Sequence, residues 1–250
     1  MSGLRRFIST TVGLAVALTS VAAFAADSAA RGADSDPWEG FNRAMFAFND
    51  TVDVYALEPV AKGWNWIAPR RLQRCLSNFF DNLRFPIDAV NNLLQGKVVR
   101  SAAVVGRFGV NTTVGMLGFF DPATAWGLEA HNEDFGQTLG VWGVPPGPYL
   151  VWPLLGPSSP RETIGLAADY AGAIYFFFVP LEYTAASRAV SVVNDRARVL
   201  DDLHDLKQAS LDYYAAVRNA YIQRRAALVE DRGGMSQGEE EELYKIDNGE

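Results

Sequence analysis

From Trp38 onward the apolar residues of this chain recur at three- and four-residue steps, and that helical period governs most of the sequence. Trp38, Phe41, Met45, Phe48, Val52 and Tyr55 form one stripe, with Arg43, Asp50 and Asp53 opposite and Phe46 off the stripe. Asp36, Pro37 and Glu39 read as N-cap, first-turn proline and capping-box acid, and Pro59 reads as the stop. The same period predicts a helix over residues 70–84 through Leu72, Leu76, Phe79, Phe80 and Leu83. It predicts a short one from Pro86 to a C-capping Gly96 and a fourth from Lys97 to about Asn111. Residues 184–229 hold no proline or glycine and predict one long helix, or two joined near Lys207 to Ser210. No segment carries the alternation of several strands and no fixed repeat appears, so the expected fold class is all-α, built of short amphipathic helices.

The segment between the helices changes character. Gly136, Gly140, Gly143, Pro145, Pro146, Gly147, Pro148, Pro153, Gly156, Pro157 and Pro160 punctuate a structured loop. Within it Tyr149-Leu150-Val151-Trp152 is too short to span a bilayer and too apolar for an exposed loop. A hairpin over Gly143 to Pro157, its tip buried in lipid or in protein, fits best. Gly115 and Gly118, three apart, predict a close backbone approach. Residues 164–181 are mostly apolar and include Phe176, Phe177 and Phe178, which suit either a soluble core or a membrane-facing surface. Asp169 and Pro180 argue against a clean transmembrane helix there.

The ends differ from this body. Arg5 and Arg6 precede an apolar run closing in Ala23-Phe24-Ala25, which reads as a signal peptide over 1–25 cleaved before Ala26, with a linker over 26–35. The body, 36–229, is read as one domain, and 230–250 as an acidic disordered tail. The formal charge is -7. Removing the -6 of that tail and the +2 of Arg5 and Arg6 leaves -3 for residues 26–229, so nucleic acid is not an expected partner. The single cysteine, Cys75, excludes an internal disulfide and reads as a small buried hydrophobe.

Catalytic patterns are missing. His131 and His204 lack metal-ligand spacing, and no nucleophile elbow, phosphate-binding loop or dinucleotide fingerprint occurs. No cofactor, metal or catalytic residue is expected. A hydrolase assembled in space from Ser158, Ser159 and His131 is the less favoured alternative.

Several runs, in order, resemble the MlaA (VacJ) family of outer-membrane lipid-asymmetry proteins. They are Asp36-Pro37-Trp38-Glu39-Gly40-Phe41-Asn42-Arg43, Leu76-Ser77-Asn78-Phe79, Arg107-Phe108 with Asn111-Thr112-Thr113, and Phe135-Gly136-Gln137-Thr138-Leu139-Gly140. Gly147-Pro148-Tyr149, Gly156-Pro157-Ser158 with Arg161, and Tyr221-Ile222-Gln223-Arg224-Arg225 continue the match. Glu162 stands where an aspartate is expected, and the family's lipid-bearing cysteine is replaced by Ala26, so no lipid anchor is expected.

The resemblance implies a helical ring on the periplasmic side of the outer membrane, with an amphipathic channel that removes mislocalised outer-leaflet phospholipid. It also implies transfer to a periplasmic lipid carrier (MlaC-like) and association with a trimeric porin. A porin-associated structural protein without transport is the alternative. Candidate lipid-binding or channel residues are Phe41, Asn42, Arg107, Asn111, Tyr149, Leu150, Val151, Trp152 and Arg161. Phe41 suits a channel wall or plain core, and Asn111 to Thr113 a polar wall or a helix cap. Arg107 and Arg161 suit a phosphate or a structural salt bridge. Tyr149 to Trp152 are the preferred lipid-facing set, and Phe176 to Phe178 the membrane-facing one.

Overall fold

In the computed structural model, which describes residues 36–172 and 180–231, the helical periods become helices, but many of their apolar stripes face outward. The elements are α1 (Glu39–Val52), a wide turn (Asp53–Leu57), α2 (Glu58–Ile67), α3 (Arg70–Leu83), α4 (Phe85–Leu94) and α5 (Val98–Thr113). Then come α6 (Pro122–Ala125), α7 (Phe135–Val141), β1 (Leu150–Trp152), β2 (Gly156–Ser158), α8 (Pro160–Gly172), α9 (Leu181–Arg198), α10 (Leu200–Ala209) and α11 (Tyr213–Val229). The fold is all-α apart from one small hairpin. The last helical stretch breaks twice, at Val199 and at Ser210 to Asp212, where one join near Lys207 to Ser210 was expected.

Pro59 does not stop the first helix. The Glu58 N–H reaches Asp53 O across the wide turn, and Pro59 takes the second position of α2. A turn closed by i→i+5 bonds displaces the carbonyls that the proline ring would otherwise strike, so the helix bends and continues. At the start of α1, Asp36 O accepts from Glu39 N at 3.1 Å and Asp36 Oδ1 from Trp38 N at 3.2 Å. Glu39 itself pairs with Arg43 at 2.7 Å.

Neighbouring elements close a circuit. α1 runs through the wide turn into α2; α9 packs on α2 and α3; α3 meets α4, α4 meets α7, and α7 meets α11. Phe46 and Tyr214 meet edge-on at 5.5 Å, and the Arg43–Asp212 ion pair at 2.6 Å returns α11 to α1. Inside this circuit the buried side chains are largely polar. Gln73, Asn42, Asn92, Asn194 and Thr138 are among the largest fully buried ones. Outside it, Trp66 is 89% exposed and Tyr55 81%. On α4, Asp88, Asn91 and Asn92 are buried while Val90 and Leu93 are exposed. Phe41, on the predicted stripe, is 48% exposed, and off-stripe Phe46 packs inward with Met45 against Tyr149, Val151 and Tyr214. No helix among the described residues is long and apolar enough to cross a membrane.

A chain in water buries its apolar face, because hydrophobic burial drives folding. This arrangement reverses that preference, and it becomes favourable where the outside is hydrocarbon and polar groups must find partners within the protein. The amides do so. Asn194 Nδ2 donates to Gln73 O at 3.1 Å and Ser77 Oγ at 3.0 Å, and Asn194 Oδ1 accepts from Trp64 Nε1 at 3.1 Å, joining α2, α3 and α9.

The expected hairpin is present, with Leu150 opposite Ser158, Val151 opposite Pro157 and Trp152 opposite Gly156. Its open edge is occupied by α1. Asn42 Nδ2 donates to Tyr149 O and to Asp36 Oδ1, both at 2.9 Å, while its Oδ1 accepts from Val151 N at 2.9 Å. Two turns later Asn49 donates to Trp152 O at 2.9 Å and accepts from Leu154 N at 2.7 Å. Two amides thus serve as the third strand that an exposed edge otherwise invites.

Replacing Asn42 by Leu leaves the Tyr149 carbonyl and the Val151 N–H unpaired in the interior. A loss of roughly 2–4 kcal/mol is expected from two stranded backbone groups, read as a lower denaturation midpoint in detergent, together with faster proteolysis at residues 153–155. An unchanged midpoint would show that the hairpin does not depend on this clamp.

Candidate functional site

α3, α4, α5 and the 121–132 connection border an open cleft lined by Asn78, Asp81, Asn82, Asp88, Arg107, Asn111, Asp121 and His131, with Phe85, Phe108 and Val104 supplying apolar wall. Close backbone packing shapes it. Gly118 has φ +92, and a Cβ there would lie 2.6 Å from Asn82 Cβ. The close approach expected of Gly115 and Gly118 is real: a Cβ on Gly115 would stand 2.3 Å from Phe120 O.

Arg107 and Asn111 stand on this wall but are committed to the protein. Arg107 donates to Asp121 Oδ2 at 2.8 Å, to Thr124 Oγ1 at 3.0 Å and to Leu128 O. Asn111 donates to Asp121 Oδ1 at 2.9 Å and accepts from Ala123 N at 3.1 Å. Burial works against the Asp121 carboxylate, but the Thr124 hydroxyl, Arg107 and Asn111 together hold its pKa below the usual value.

Asp88 is buried, accepts from Glu133 N at 3.0 Å and meets Arg84 Nη2 at 3.5 Å. Burial pushes its carboxyl up to about 7 against the pull of Arg84. Asp81 is solvent-exposed on the same cleft, and desolvation by the surrounding protein, only partly offset by Arg84, pushes its carboxyl up to about 6. His131 is half-buried on the same cleft.

The other expected site residues fall elsewhere. Asn42 is the hairpin clamp. Of the four residues expected to face lipid, Tyr149 and Val151 point inward, while Leu150 and Trp152 are half-buried and Trp152 Nε1 donates to Thr163 Oγ1 at 2.9 Å. Strand alternation and the α1 clamp direct them so, and the exposed apolar pair is Leu154, at 72%, with Leu155, at 66%. Sequence reasoning misses these two, although their position between Pro153 and Gly156 marks a turn tip. Arg161 is buried, forks onto Glu162 Oε1 at 2.7 and 2.9 Å and donates to Val144 O at 3.2 Å. Ser158 Oγ lies 3.1 Å from Thr163 Oγ1, and neither Ser158 nor Ser159 lines the cleft that holds His131. Phe176 to Phe178, the signal peptide, the linker and residues 232–250 lie outside the described residues.

A charged junction away from the cleft ties α11 to α7 and α8. Arg225 of α11 bridges Asp134, at 2.7 and 2.9 Å, and Glu162. Burial disfavours the Asp134 carboxylate, but the Arg225 guanidinium and the Gln137 N–H outweigh it and bring its pKa down to about 2. α7 and α8 are in backbone contact here, since a Cβ on Gly165 would lie 2.3 Å from Gly136 N.

A carboxyl whose pKa is raised on folding penalises the native state once both states are ionised. The penalty is absent below about pH 4, the unfolded value, and complete above the folded value near 6. Asp81→Asn is therefore expected to be more stable than the wild type at pH 8, by up to about 1 kcal/mol once solvent screening is allowed for. Denaturant titration at pH 4.5 and pH 8 should show the gain shrinking at the lower pH. A variant less stable at pH 8 would contradict this assignment.

Known proteins share this architecture. The MlaA lipoprotein family matches residues 34–228. The intermembrane phospholipid transport system lipoprotein MlaA of Haemophilus influenzae is 36% identical over 201 residues, covering 79% of this chain and 80% of its own. Its namesake in Escherichia coli is 37% identical over 195 residues, 76% of each chain. A solved structure described as the structural basis for maintenance of bacterial outer membrane lipid asymmetry superposes with a TM-score of 0.70 at 37% identity, covering 78% of this chain and 99% of that one. The chain belongs to the MlaA lipoprotein family.

Proposed function

We propose that this protein is a phospholipid transport component of the outer membrane, a helical ring seated in the inner leaflet that takes mislocalised outer-leaflet phospholipid through its wet interior and passes it to a periplasmic carrier. The observation that carries the reading is the reversed polarity: amides and carboxylates inside the circuit, Trp66, Tyr55, Val99, Leu154 and Leu155 outside. A phospholipid has a charged head and two apolar chains, and a conduit for it needs a polar wall next to an apolar one. The cleft offers both, with Asp81, Asn82 and Asp88 beside Phe85, Phe108 and Val104.

The names of the Haemophilus and Escherichia relatives support phospholipid transport between membranes. We extend the reading to a trimeric porin as the partner that holds the ring in place and to inward flow. The protein then performs no bond-making chemistry: its work is to shelter the head while the chains stay in an apolar setting. Among the candidate residues, Asn42 acts by holding the hairpin, and Arg107, Asn111 and Arg161 by holding the walls.

The test is phospholipid exposed on the outer leaflet of intact cells, compared between wild type, a deletion strain and the complemented deletion. A rise on deletion that complementation reverses is expected. No rise, with the protein shown to be expressed and no second copy present, would leave a porin-associated structural role as the better account. In the same assay, Leu154→Asp together with Leu155→Asp should complement poorly at normal protein levels, because two carboxylates at the hairpin tip oppose insertion among acyl chains.

A further inference from the structure

Residues 59–80 form a basic stretch in an otherwise acidic chain: they hold Lys62, Arg70, Arg71 and Arg74 and no aspartate or glutamate. The stretch spans the corner where α2 gives way to α3. Lys62 is used within the fold, paired with Glu58 at 2.7 Å. Arg70 and Arg71 are both exposed. Arg70 makes one long hydrogen bond, to Arg198 O at 3.3 Å, and neither arginine forms an ion pair among the described residues. Helix stability does not call for them, because the first turn of a helix favours acids over cations. The same corner turns apolar side chains outward: Trp66 is 89% exposed, Ile67 67% and Leu72 46%.

Unpaired cations beside exposed apolar side chains match the boundary of a bilayer. Tryptophan favours that boundary, and an arginine next to it reaches the phosphates while its methylenes stay with the acyl chains. Ile67 and Arg71 are four residues apart, so their Cα atoms lie within about 14 Å of each other. A headgroup layer is roughly 5–8 Å deep, so side chains this close together reach acyl chains and phosphates at once. We propose that the α2–α3 corner anchors the protein at the membrane boundary. Trp66, Ile67 and Leu72 lie among the upper acyl chains, and Arg70 and Arg71 hold the phosphates of anionic glycerophospholipids, whose oxygens suit a guanidinium fork. This rests on the reading of the apolar coat as lipid-facing, and it adds the depth at which the corner sits and a charge preference in the surrounding lipid. An acidic protein surface would satisfy the arginines and leave Trp66 and Ile67 without hydrocarbon, whereas a bilayer boundary accommodates both sets.

The experiment dilutes the full chain from detergent into preformed vesicles and measures its flotation with them, using phosphatidylcholine alone and phosphatidylcholine mixed with phosphatidylglycerol. Wild type is expected to bind the anionic vesicles more tightly, and high salt should remove the excess. Arg70→Gln together with Arg71→Gln should weaken binding to the anionic vesicles roughly fivefold for each arginine, at an unchanged denaturation midpoint, while binding to phosphatidylcholine alone changes little. Arg224→Gln, which removes an exposed guanidinium from α11, should keep the preference intact. No preference in the wild type, a preference that survives the double substitution, or an equal loss from Arg224→Gln overturns the anchor, while flotation of the wild type leaves the lipid-facing reading standing. Tighter binding to vesicles carrying lipopolysaccharide at equal surface charge also overturns it, by giving the arginines to the other phosphate-bearing lipid. Wild type that floats with no vesicle overturns both readings.

Discussion

A ring that turns apolar side chains outward must satisfy its polar groups from within, and the inward-facing amides are the means. Asn42 and Asn49 close the open edge of β1, Asn194 ties α9 to α2 and α3, and Asn92 joins Asp88 O to His131 O at 2.8 and 3.0 Å. A neutral amide both donates and accepts without the desolvation cost of a charge, so it can be buried where lysine or glutamate would be prohibitive. Where charges are buried they are clamped by partners, as at Arg225 with Asp134 and Glu162, or at Arg107 with Asp121.

Two parts of the helical circuit are built differently. The α3–α5 side borders the cleft and carries the raised carboxyls of Asp81 and Asp88. The α7, α8 and α11 side is locked by backbone contact and by the Arg225 junction. The hairpin lies between α1 and the aromatic cluster of Tyr149, Tyr214 and Tyr221, presenting Leu154 and Leu155 at its tip. A polar interior, a rigid side and an apolar tip are what a conduit requires if a charged head travels inside while chains remain in hydrocarbon.

Much of this fold is legible in the sequence, and the failures have physical causes. The 3.6-residue period locates the helices because it reports amphipathicity, but a period is indifferent to which face turns inward. The stripe of Phe41, Phe48 and Tyr55 therefore reads equally as core or coat, and the structure makes it coat. The amide face of Asn42 and Asn49 is the clue to the inward side, since a face meant for water normally carries charges. Pro59 misleads because a wide turn cannot be read from residue types. Tyr149 to Trp152 group correctly as a hairpin strand, but strand alternation and a clamp from a distant helix decide what each faces.

The inverted arrangement requires that the apolar coat meet acyl chains. Trp66, on the outer face of α2, is the natural reporter. In a variant that keeps Trp66 as its only tryptophan, reconstituted in bilayers, its fluorescence should be strongly quenched by lipids brominated along the acyl chains and shielded from aqueous acrylamide. Quenching by acrylamide with indifference to brominated lipid would place the coat in water and contradict the inverted arrangement.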